Sequence, residues 1–316
     1  MLDTVFIVLG FIGLIWGADK FVFGASALAR NLGVSPLMIG LTIVAFGTSA
    51  PEIFSSAVSA LNNKPLLAIG NALGSNLFNV GVALGVAAII SPLKPPDSLI
   101  DKEIPALLLV TLVAGALMFD LYMGFFDAVV LIGITAYFGY RLFRKRIRTG
   151  STPEIVDSEL TGVNSLQAVV NLLVGLALLI LSAQVLVQSA TSIAERLDVS
   201  TAVIGLTIVA LGTSLPELAA SVTCVLKGHH DLAIGNIVGS NILNLLAVLP
   251  FPGLFSAGPI EPSLLNRDYV MVLLLTVLLA FFCYRGIKKH KMIGRLSGVI
   301  FLLIYCSWFT VMMVQI

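Results

Sequence analysis

The chain has 316 residues, of which 58% are hydrophobic and 11% are charged, and its mean hydropathy is +1.04. Soluble domains carry about a quarter charged residues, so this composition excludes a water-soluble globular protein. The formal net charge of +1 indicates no basic surface of the kind that binds nucleic acid. We therefore expect the lipid bilayer, and no nucleic acid, as the partner of most of the chain.

The apolar residues fall into stretches long enough to cross a membrane, which requires roughly 20 residues in a helix. Ten such stretches occur, near 3–24, 34–60, 67–91, 104–120, 124–143, 165–189, 199–226, 231–255, 268–285 and 294–314. They are continuous apolar runs rather than short alternating strands, which excludes a transmembrane barrel. The predicted fold is an all-α integral membrane protein of ten transmembrane helices.

The distribution of Lys and Arg predicts the orientation of these helices. Loops after spans one, three, five, seven and nine contain fourteen of these residues, whereas the opposite loops contain only Lys64, Arg196 and Arg267. Positively charged loops stay in the cytoplasm. Both termini are therefore predicted to face outward, and the polar stretch after Arg144 is predicted to be cytoplasmic.

An internal repeat is the strongest feature of the sequence. Residues 40–52 read GLTIVAFGTSAPE and residues 205–217 read GLTIVALGTSLPE; residues 68–79 read AIGNALGSNLFN and residues 233–244 read AIGNIVGSNILN. Both pairs are offset by 165 residues, which divides the chain into halves at 1–150 and 165–316 joined by a linker at 151–164. Five spans per half invert the second copy, and inverted repeats typically hold a transport site at the bilayer midplane.

Two glutamates occupy equivalent positions in this repeat. Glu52 and Glu217 are the only charged residues within spans two and seven. An ionisable group at mid-bilayer costs roughly 2.5–3.5 kcal/mol on insertion scales. Two such groups at symmetric positions indicate a cation or proton bound between them.

Oxygen-bearing groups accompany each glutamate. Pro51 and Pro216 lack a backbone N–H and are predicted to break their helices, and we expect the carbonyls of Ala45 and Ala210 to be freed. The hydroxyl groups beside them belong to Thr48, Ser49, Thr213 and Ser214. Hard cations prefer such all-oxygen surroundings, and Ca²⁺ takes roughly 6–8 oxygen ligands.

Spans three and eight carry a matching polar stripe. Asn71, Ser75 and Asn79 lie four residues apart on one helical face, and Asn236, Ser240 and Asn244 repeat this spacing. We expect Asn71 and Asn236 to form hydrogen bonds between helices. We expect the other four residues to bind the cation or to lie next to residues that bind it. Glycines in the same motifs are expected to let the helices pack closely, at Gly70, Gly74, Gly235 and Gly239.

These paired motifs resemble the alpha-repeats of the calcium/cation antiporter superfamily, specifically the sodium/calcium exchangers, over essentially the whole chain. The resemblance implies a ten-helix antiporter with four ion sites among spans two, three, seven and eight, and no enzymatic activity. It implies that Ca²⁺ and Na⁺ are transported substrates and that no cofactor is needed. Glu52 and Glu217 match the carboxylates that the two cations share, and Thr48 and Thr213 complete the expected Ca²⁺ ligands. Further expected cation-binding residues are Ser49, Ser214, Ser75, Asn79, Ser240, Asn244, Ala45 and Ala210.

Departures and alternatives accompany the resemblance. Asn244 stands where some prokaryotic members and the potassium-dependent branch carry Asp, which disfavours K⁺ dependence and leaves the stoichiometry open. The short linker is similar to prokaryotic members, so a bacterial or archaeal inner or plasma membrane is expected. A proton-coupled divalent-cation antiporter remains an alternative, although such relatives carry GNxxE where this chain has GNALG and GNIVG. The identity of the divalent cation, Ca²⁺ or Mn²⁺, and the oligomeric state stay open.

Overall fold

The computed structural model describes residues 2–146, 162–197, 207–208, 210–288 and 292–314. The first half contains helices α1 (Leu2–Leu32), α2 (Pro36–Thr48), α3 (Ala50–Leu61), α4 (Pro65–Ile90), α5 (Ile104–Met118) and α6 (Phe125–Arg146). The second half contains α7 (Ser165–Arg196), α8 (Ala210–Thr213), α9 (Leu215–Leu226), α10 (His230–Phe255), α11 (Leu264–Lys288) and α12 (Arg295–Val314). The all-α membrane class is confirmed.

Helix length and composition identify fewer spans than the ten apolar stretches of the sequence. Among the described residues, six helices are long and apolar enough to cross a membrane, or seven if α2 and α3 form one bent span. Helices α5 and α9 and the apolar part of α6 are shorter, so the count of ten stays a prediction. The first part of the predicted span 199–226 and most of the linker 151–164 lie outside the described residues.

Two of the helices extend well beyond their predicted ends. Helix α1 continues to Leu32 and α7 to Arg196, whereas the apolar stretches end near residues 24 and 189. At the end of α1, the Asn31 side-chain amide donates to the carbonyl oxygen of Val163 at 3.1 Å. Polar residues that are satisfied in this way can stay helical beyond the apolar layer, so hydropathy underestimates the length of α1.

Helices α1 and α7 pack along each other through much of their length. A side chain at Gly24 would overlap the backbone of Leu172, and one at Gly175 would overlap the backbone of Phe21. An ion pair between Arg196 and Asp3, at 2.8 Å, joins the end of α7 to the start of α1. Small residues thus bring the two backbones together, as expected for helices packed in lipid.

Helix α2 packs against α10 by a similar approach of backbones. A Cβ atom at Gly235 would lie 2.6 Å from the carbonyl oxygen of Leu37, and one at Gly40 would lie 2.7 Å from that of Leu232. The predicted close approach is confirmed for Gly235 and Gly239. At Gly70 a Cβ atom would lie 3.9 Å from Leu264 Cδ2, and at Gly74 no described atom is within 4 Å, so the expected close approach stays a prediction for these two glycines.

Several helices contain π-helical turns that the sequence analysis did not predict. They occupy Gly40–Val44, Asn79–Leu84, Leu99–Glu103, Asn244–Val248 and Leu264–Tyr269. Two of them begin at Asn79 and Asn244, which are equivalent residues of the repeat. Such turns loosen the regular hydrogen-bond ladder and often lie at functional sites.

Short backbone pairings join the connecting loops. Strand β1 (Tyr122–Met123) pairs antiparallel with β2 (Gly258–Pro259), and an isolated bridge joins Leu93 to Ile293. The first pairing joins two loops predicted to face outward, and the second joins two loops predicted to face the cytoplasm. Both pairings therefore agree with the predicted order of the spans.

A buried acid near the start of α11 yields a stability prediction. Asp268 is 5% exposed and accepts hydrogen bonds from the Arg267 guanidinium and from the Trp308 indole N–H, the latter at 2.7 Å. We expect Trp308→Phe to lower the free energy of unfolding by about 1.5–3 kcal/mol, because a hydrogen bond to a charged group is lost. Thermal denaturation in detergent, followed by circular dichroism, measures the loss. The exposed Trp16, replaced by Phe, is the matched control, and equal melting temperatures for the two variants would contradict the prediction.

Candidate cation-binding site

The two repeated glutamates lie at the centre of the molecule in the first turns of α3 and α9. Glu52 is 0% exposed and Glu217 is 1% exposed. The first turn of a helix presents unpaired N–H groups and a partial positive charge, which stabilises a carboxylate there. Among the described residues, no Lys or Arg forms an ion pair with either carboxylate. Two buried acidic groups therefore lie close together without a counter-ion from the part of the chain that the structure describes.

Crossed hydrogen bonds connect the two halves of the repeat at this point. The Ser214 hydroxyl donates to Glu52 Oε1 at 2.9 Å, and the Ser49 hydroxyl donates to Glu217 Oε1 at 3.0 Å. Ser214 also lies 3.2 Å, Oγ to Oγ, from Ser75. Each glutamate is thus oriented by a serine from the other half, as the repeat symmetry requires.

The helix breaks come from the residues next to these serines. Ser49 and Ser214 have ψ angles of 3° and 6°, outside the helical range, and the following prolines cannot donate a backbone hydrogen bond. The axes of α2 and α3 differ by 46° across Ser49. The predicted break is confirmed, and Glu52 lies in the first turn of α3 directly after it.

The expected release of the Ala45 carbonyl is wrong, because this oxygen accepts the backbone N–H of Ser49 at 3.0 Å. Pro51 removes the donor to a carbonyl four residues earlier, which is Gly47 rather than Ala45. At the second break, the Ser214 N–H donates to Leu211, and α8 begins at Ala210. Cation ligation by the Ala45 and Ala210 carbonyls stays a prediction.

The threonines differ in their surroundings. Thr48 is fully buried, and its single hydroxyl proton can be donated either to Asn236 Oδ1 or to the Val44 carbonyl oxygen, each at 3.2 Å. Thr213 is half-buried and is engaged in an interaction of its own. Both threonines lie beside the serines that hold the glutamates, so the structure brings the four predicted hydroxyl residues to one place.

The asparagines at the first positions of the polar stripes join helices, as predicted. The Asn71 amide donates to Ser56 Oγ at 2.8 Å and to the backbone oxygen of Glu52 at 3.2 Å. The Asn236 amide donates to Ser221 Oγ at 3.3 Å. Each asparagine thereby fixes a stripe helix, α4 or α10, against the helix that carries a glutamate.

Five buried side-chain oxygens near the glutamates have no hydrogen-bond partner among the described residues. They belong to Glu52 (Oε2), Glu217 (Oε2), Asn79 (Oδ1), Asn244 (Oδ1) and Ser240 (Oγ). A buried oxygen without a partner costs about 1–3 kcal/mol, and more when it is charged. Carboxylate, amide and hydroxyl oxygens are the ligands that Ca²⁺ accepts. The chemistry of this set therefore fits a hard cation as substrate.

Sequence reasoning missed two members of the cluster, Asn76 and Asn241. Each directly follows a stripe serine, Ser75 or Ser240, and each is at most 2% exposed. Their side chains hydrogen-bond to Asn244 and Asn79, respectively. The signal was present, because the two asparagines also recur at the 165-residue offset, but they do not share the face of the i, i+4 stripe.

Comparison with known proteins places these features in a family. The Sodium/calcium exchanger protein family matches residues 2–144 and 167–314, which is nearly the whole chain. The chain belongs to this family. Its members are membrane transporters rather than enzymes, and Ca²⁺ and Na⁺ are substrates of the family rather than cofactors.

Individual relatives match along their full length. CaxA of Alkalimonas amylolytica is 40% identical over 317 residues and covers 98% of both chains. Sodium/calcium exchanger MaX1 of Methanosarcina acetivorans is 30% identical over 345 residues and covers 97% of both. A structure of the sodium-calcium exchanger NCX_Mj, soaked with 2.5 mM Na⁺ and 0.1 mM Ca²⁺, has a TM-score of 0.84 with 33% identity over 98% of both chains. The chain therefore has relatives in both bacteria and archaea.

Proposed function

We propose that this exchanger carries Na⁺ in one direction and Ca²⁺ in the other, and that Glu52 and Glu217 bind the competing cations. The observation that carries the proposal is a group of five buried oxygens, two on the glutamates themselves and three beside them, that have no hydrogen-bond partner or protein counter-ion among the described residues. The named relatives that exchange sodium for calcium support it. Other residues proposed to bind cations are Thr48, Ser49, Thr213, Ser214, Ser75, Asn79, Ser240, Asn244, Ala45 and Ala210.

Charge balance explains why the two cations compete. One Ca²⁺ neutralises both carboxylates, and several Na⁺ ions do the same with help from the neutral oxygens of Ser240, Asn79 and Asn244. Two uncompensated charges in the low-dielectric centre are strongly disfavoured. A ligand shifts a conformational equilibrium only through its differential affinity for the two states. The site therefore switches from one side of the membrane to the other only when cations are bound. This requirement couples the Na⁺ flux to the Ca²⁺ flux.

The moving part is proposed to be the pair of helices that begins each half. Helices α1 and α7 pack closely against each other along a line of glycines, which supports their movement as one unit past the site helices. The two halves, 1–150 and 165–316, are proposed to be inverted repeats joined by a cytoplasmic linker at 151–164. The crossed serine–glutamate hydrogen bonds support this symmetry.

The proposed membrane is the inner or plasma membrane of a bacterium or archaeon, with both termini facing outward. The excess of Lys and Arg in the loops after the odd-numbered spans supports this orientation. Independently of this orientation, the inward Na⁺ gradient of most cells would drive Ca²⁺ outward through the exchanger.

Transport into proteoliposomes tests the coupling ion. We expect Na⁺-loaded vesicles to take up ⁴⁵Ca²⁺ when external Na⁺ is absent and to stop when external Na⁺ matches the internal concentration. Uptake that responds to a pH gradient and ignores Na⁺ would instead establish the alternative, a proton/divalent-cation antiporter on the same fold. Uptake of ⁵⁴Mn²⁺ in the same assay compares the two divalent cations.

The crossed serines provide a test of the site within this assay. We expect Ser49→Ala and Ser214→Ala each to raise the KM for Ca²⁺ about tenfold, because each removes a hydrogen bond to a buried charge that orients a carboxylate. The effect of Ser214→Ala should be the larger, since its hydroxyl contacts both Glu52 and Ser75. The control is Ser307→Ala, because Ser307 is exposed and its hydroxyl bonds, within the described part of the chain, only to Ile304 of its own helix. An unchanged KM in both site variants would contradict these roles.

A further inference from the structure

We infer that Asn76 and Asn241 are positioning residues that turn the amide groups of Asn244 and Asn79 so that oxygen, rather than nitrogen, faces the transported cation. The inference rests on the proposed function, because it assigns a role within the proposed binding site. Both residues are buried, at 2% and 1% exposure, on the helices α4 and α10 that carry the polar stripes. Neither is among the residues proposed above as cation ligands.

A backbone carbonyl fixes the orientation of the first asparagine. Asn76 Nδ2 donates to the backbone oxygen of Asn241 at 3.3 Å. A carbonyl oxygen only accepts hydrogen bonds, so the nitrogen side of the Asn76 amide must face it. The oxygen side, Oδ1, then accepts a hydrogen bond from Asn244 Nδ2 at 3.1 Å.

The fixed orientation of the Asn76 amide determines the orientation of the Asn244 amide. Because the nitrogen of the Asn244 amide is held by Asn76, its Oδ1 is turned the other way, where it is buried and has no partner among the described residues. A reversed Asn244 amide would place two oxygens against each other and would point N–H groups at the cation. This chain of hydrogen bonds therefore leaves Asn244 Oδ1 as an acceptor that only a cation or another donor can satisfy.

A second side-chain hydrogen bond between the halves has its donor in the first half and its acceptor in the second. Asn79 Nδ2 donates to Asn241 Oδ1 at 3.1 Å, which leaves Asn79 Oδ1 buried and unpartnered. The amide of Asn241 is held less firmly than that of Asn76. Asn241 Nδ2 has no partner among the described residues, whereas Asn76 Nδ2 bonds to a backbone oxygen. We therefore expect changes at Asn76 to have the larger effect.

Groups that orient a metal ligand commonly alter cation affinity by about 10- to 100-fold when they are removed. Asn76→Leu keeps the branched shape and the number of side-chain heavy atoms but removes the acceptor that holds Asn244. We expect this variant to weaken equilibrium binding of ⁴⁵Ca²⁺ to the purified full-length protein in detergent by about tenfold. Size-exclusion elution at the wild-type position confirms folding, and Asn76→Ala replaces the leucine variant if that variant does not fold.

A double-mutant cycle separates positioning from general structural damage. If Asn76 acts through Asn244, then Asn76→Leu should weaken Ca²⁺ binding in the wild-type background but have little further effect in an Asn244→Ala background. Thr111→Val is the matched control, because it removes a fully buried hydroxyl that, among the described residues, bonds only to Leu107 of its own helix. This control should leave Ca²⁺ affinity unchanged in both backgrounds.

The possible outcomes distinguish this inference from the proposed function. Equal losses from Asn76→Leu in both backgrounds, or no loss in either, would overturn the positioning role. The proposed function would still stand if wild-type protein binds Ca²⁺ and Glu52→Gln abolishes that binding. Wild-type protein that binds neither Ca²⁺ nor Na⁺ would overturn both.

Discussion

Glu52→Gln and Glu217→Gln are each expected to reduce Na⁺-driven Ca²⁺ uptake at least about a hundredfold. Each substitution removes one of two buried negative charges but keeps the size of the side chain and an oxygen that can accept the crossed serine hydrogen bond. Removing one partner of a buried charge pair typically costs about 3–5 kcal/mol, which corresponds to a hundredfold or more in affinity. Initial rates of ⁴⁵Ca²⁺ uptake into Na⁺-loaded proteoliposomes measure the loss.

The matched control is Glu195→Gln, which makes the same chemical change at an exposed position near the end of α7. This variant should exchange at the wild-type rate. Activity in either buried-site variant within a few-fold of wild type would contradict a shared charge requirement. A large loss in only one of them would indicate that the two glutamates do not act as an equivalent pair.

Gly239→Ala is expected to have the second largest effect, lowering both stability and transport. A Cβ atom at this position would lie 2.6 Å from the Leu41 carbonyl oxygen and 2.7 Å from the Ala45 Cβ. Helix α10 must therefore move away from α2, and it carries Ser240 and Asn244 with it. Overpacking of this kind costs about 1–3 kcal/mol, so we expect a lower melting temperature and a roughly tenfold weaker Ca²⁺ affinity.

Gly133→Ala provides the comparison for this packing prediction. Gly133 lies in α6, and no described atom is within 4 Å of a Cβ placed there. Alanine is the better helix former, so this variant should be at least as stable as wild type. If Gly239→Ala matches Gly133→Ala in melting temperature and Ca²⁺ affinity, the close contact of α2 with α10 is not needed for the site.

Much of the site was predictable because the two copies of the motif constrain each other. A lone Glu52 beside Pro51 is compatible with a simple helix kink, whereas the same arrangement at Glu217 indicates a shared role. The break in the helix also followed from the sequence, since proline has no backbone N–H to donate. The structure brings both glutamates and the adjacent hydroxyl groups together, as the repeat predicted.

Other features depend on contacts between elements that sequence spacing does not encode. The Ala45 carbonyl is a different case, because the Ser49 N–H donates to it at the end of α2 and Pro51 removes the bond to Gly47 instead. The roles of Asn76 and Asn241 arise from hydrogen bonds between helices more than 160 residues apart in sequence. An i, i+4 pattern finds only residues that share one face of a helix. It cannot find residues beside that face that bond to another helix.

Competition between the two cations at equilibrium tests the central claim most directly. ⁴⁵Ca²⁺ binding to the purified full-length protein in detergent should saturate and should be displaced by Na⁺ with a Hill coefficient above one, because several Na⁺ ions replace each Ca²⁺. The variant carrying both Glu52→Gln and Glu217→Gln should bind no Ca²⁺. Ca²⁺ binding that persists in this double variant, or that Na⁺ does not displace, would show that the two glutamates are not the site for which the cations compete.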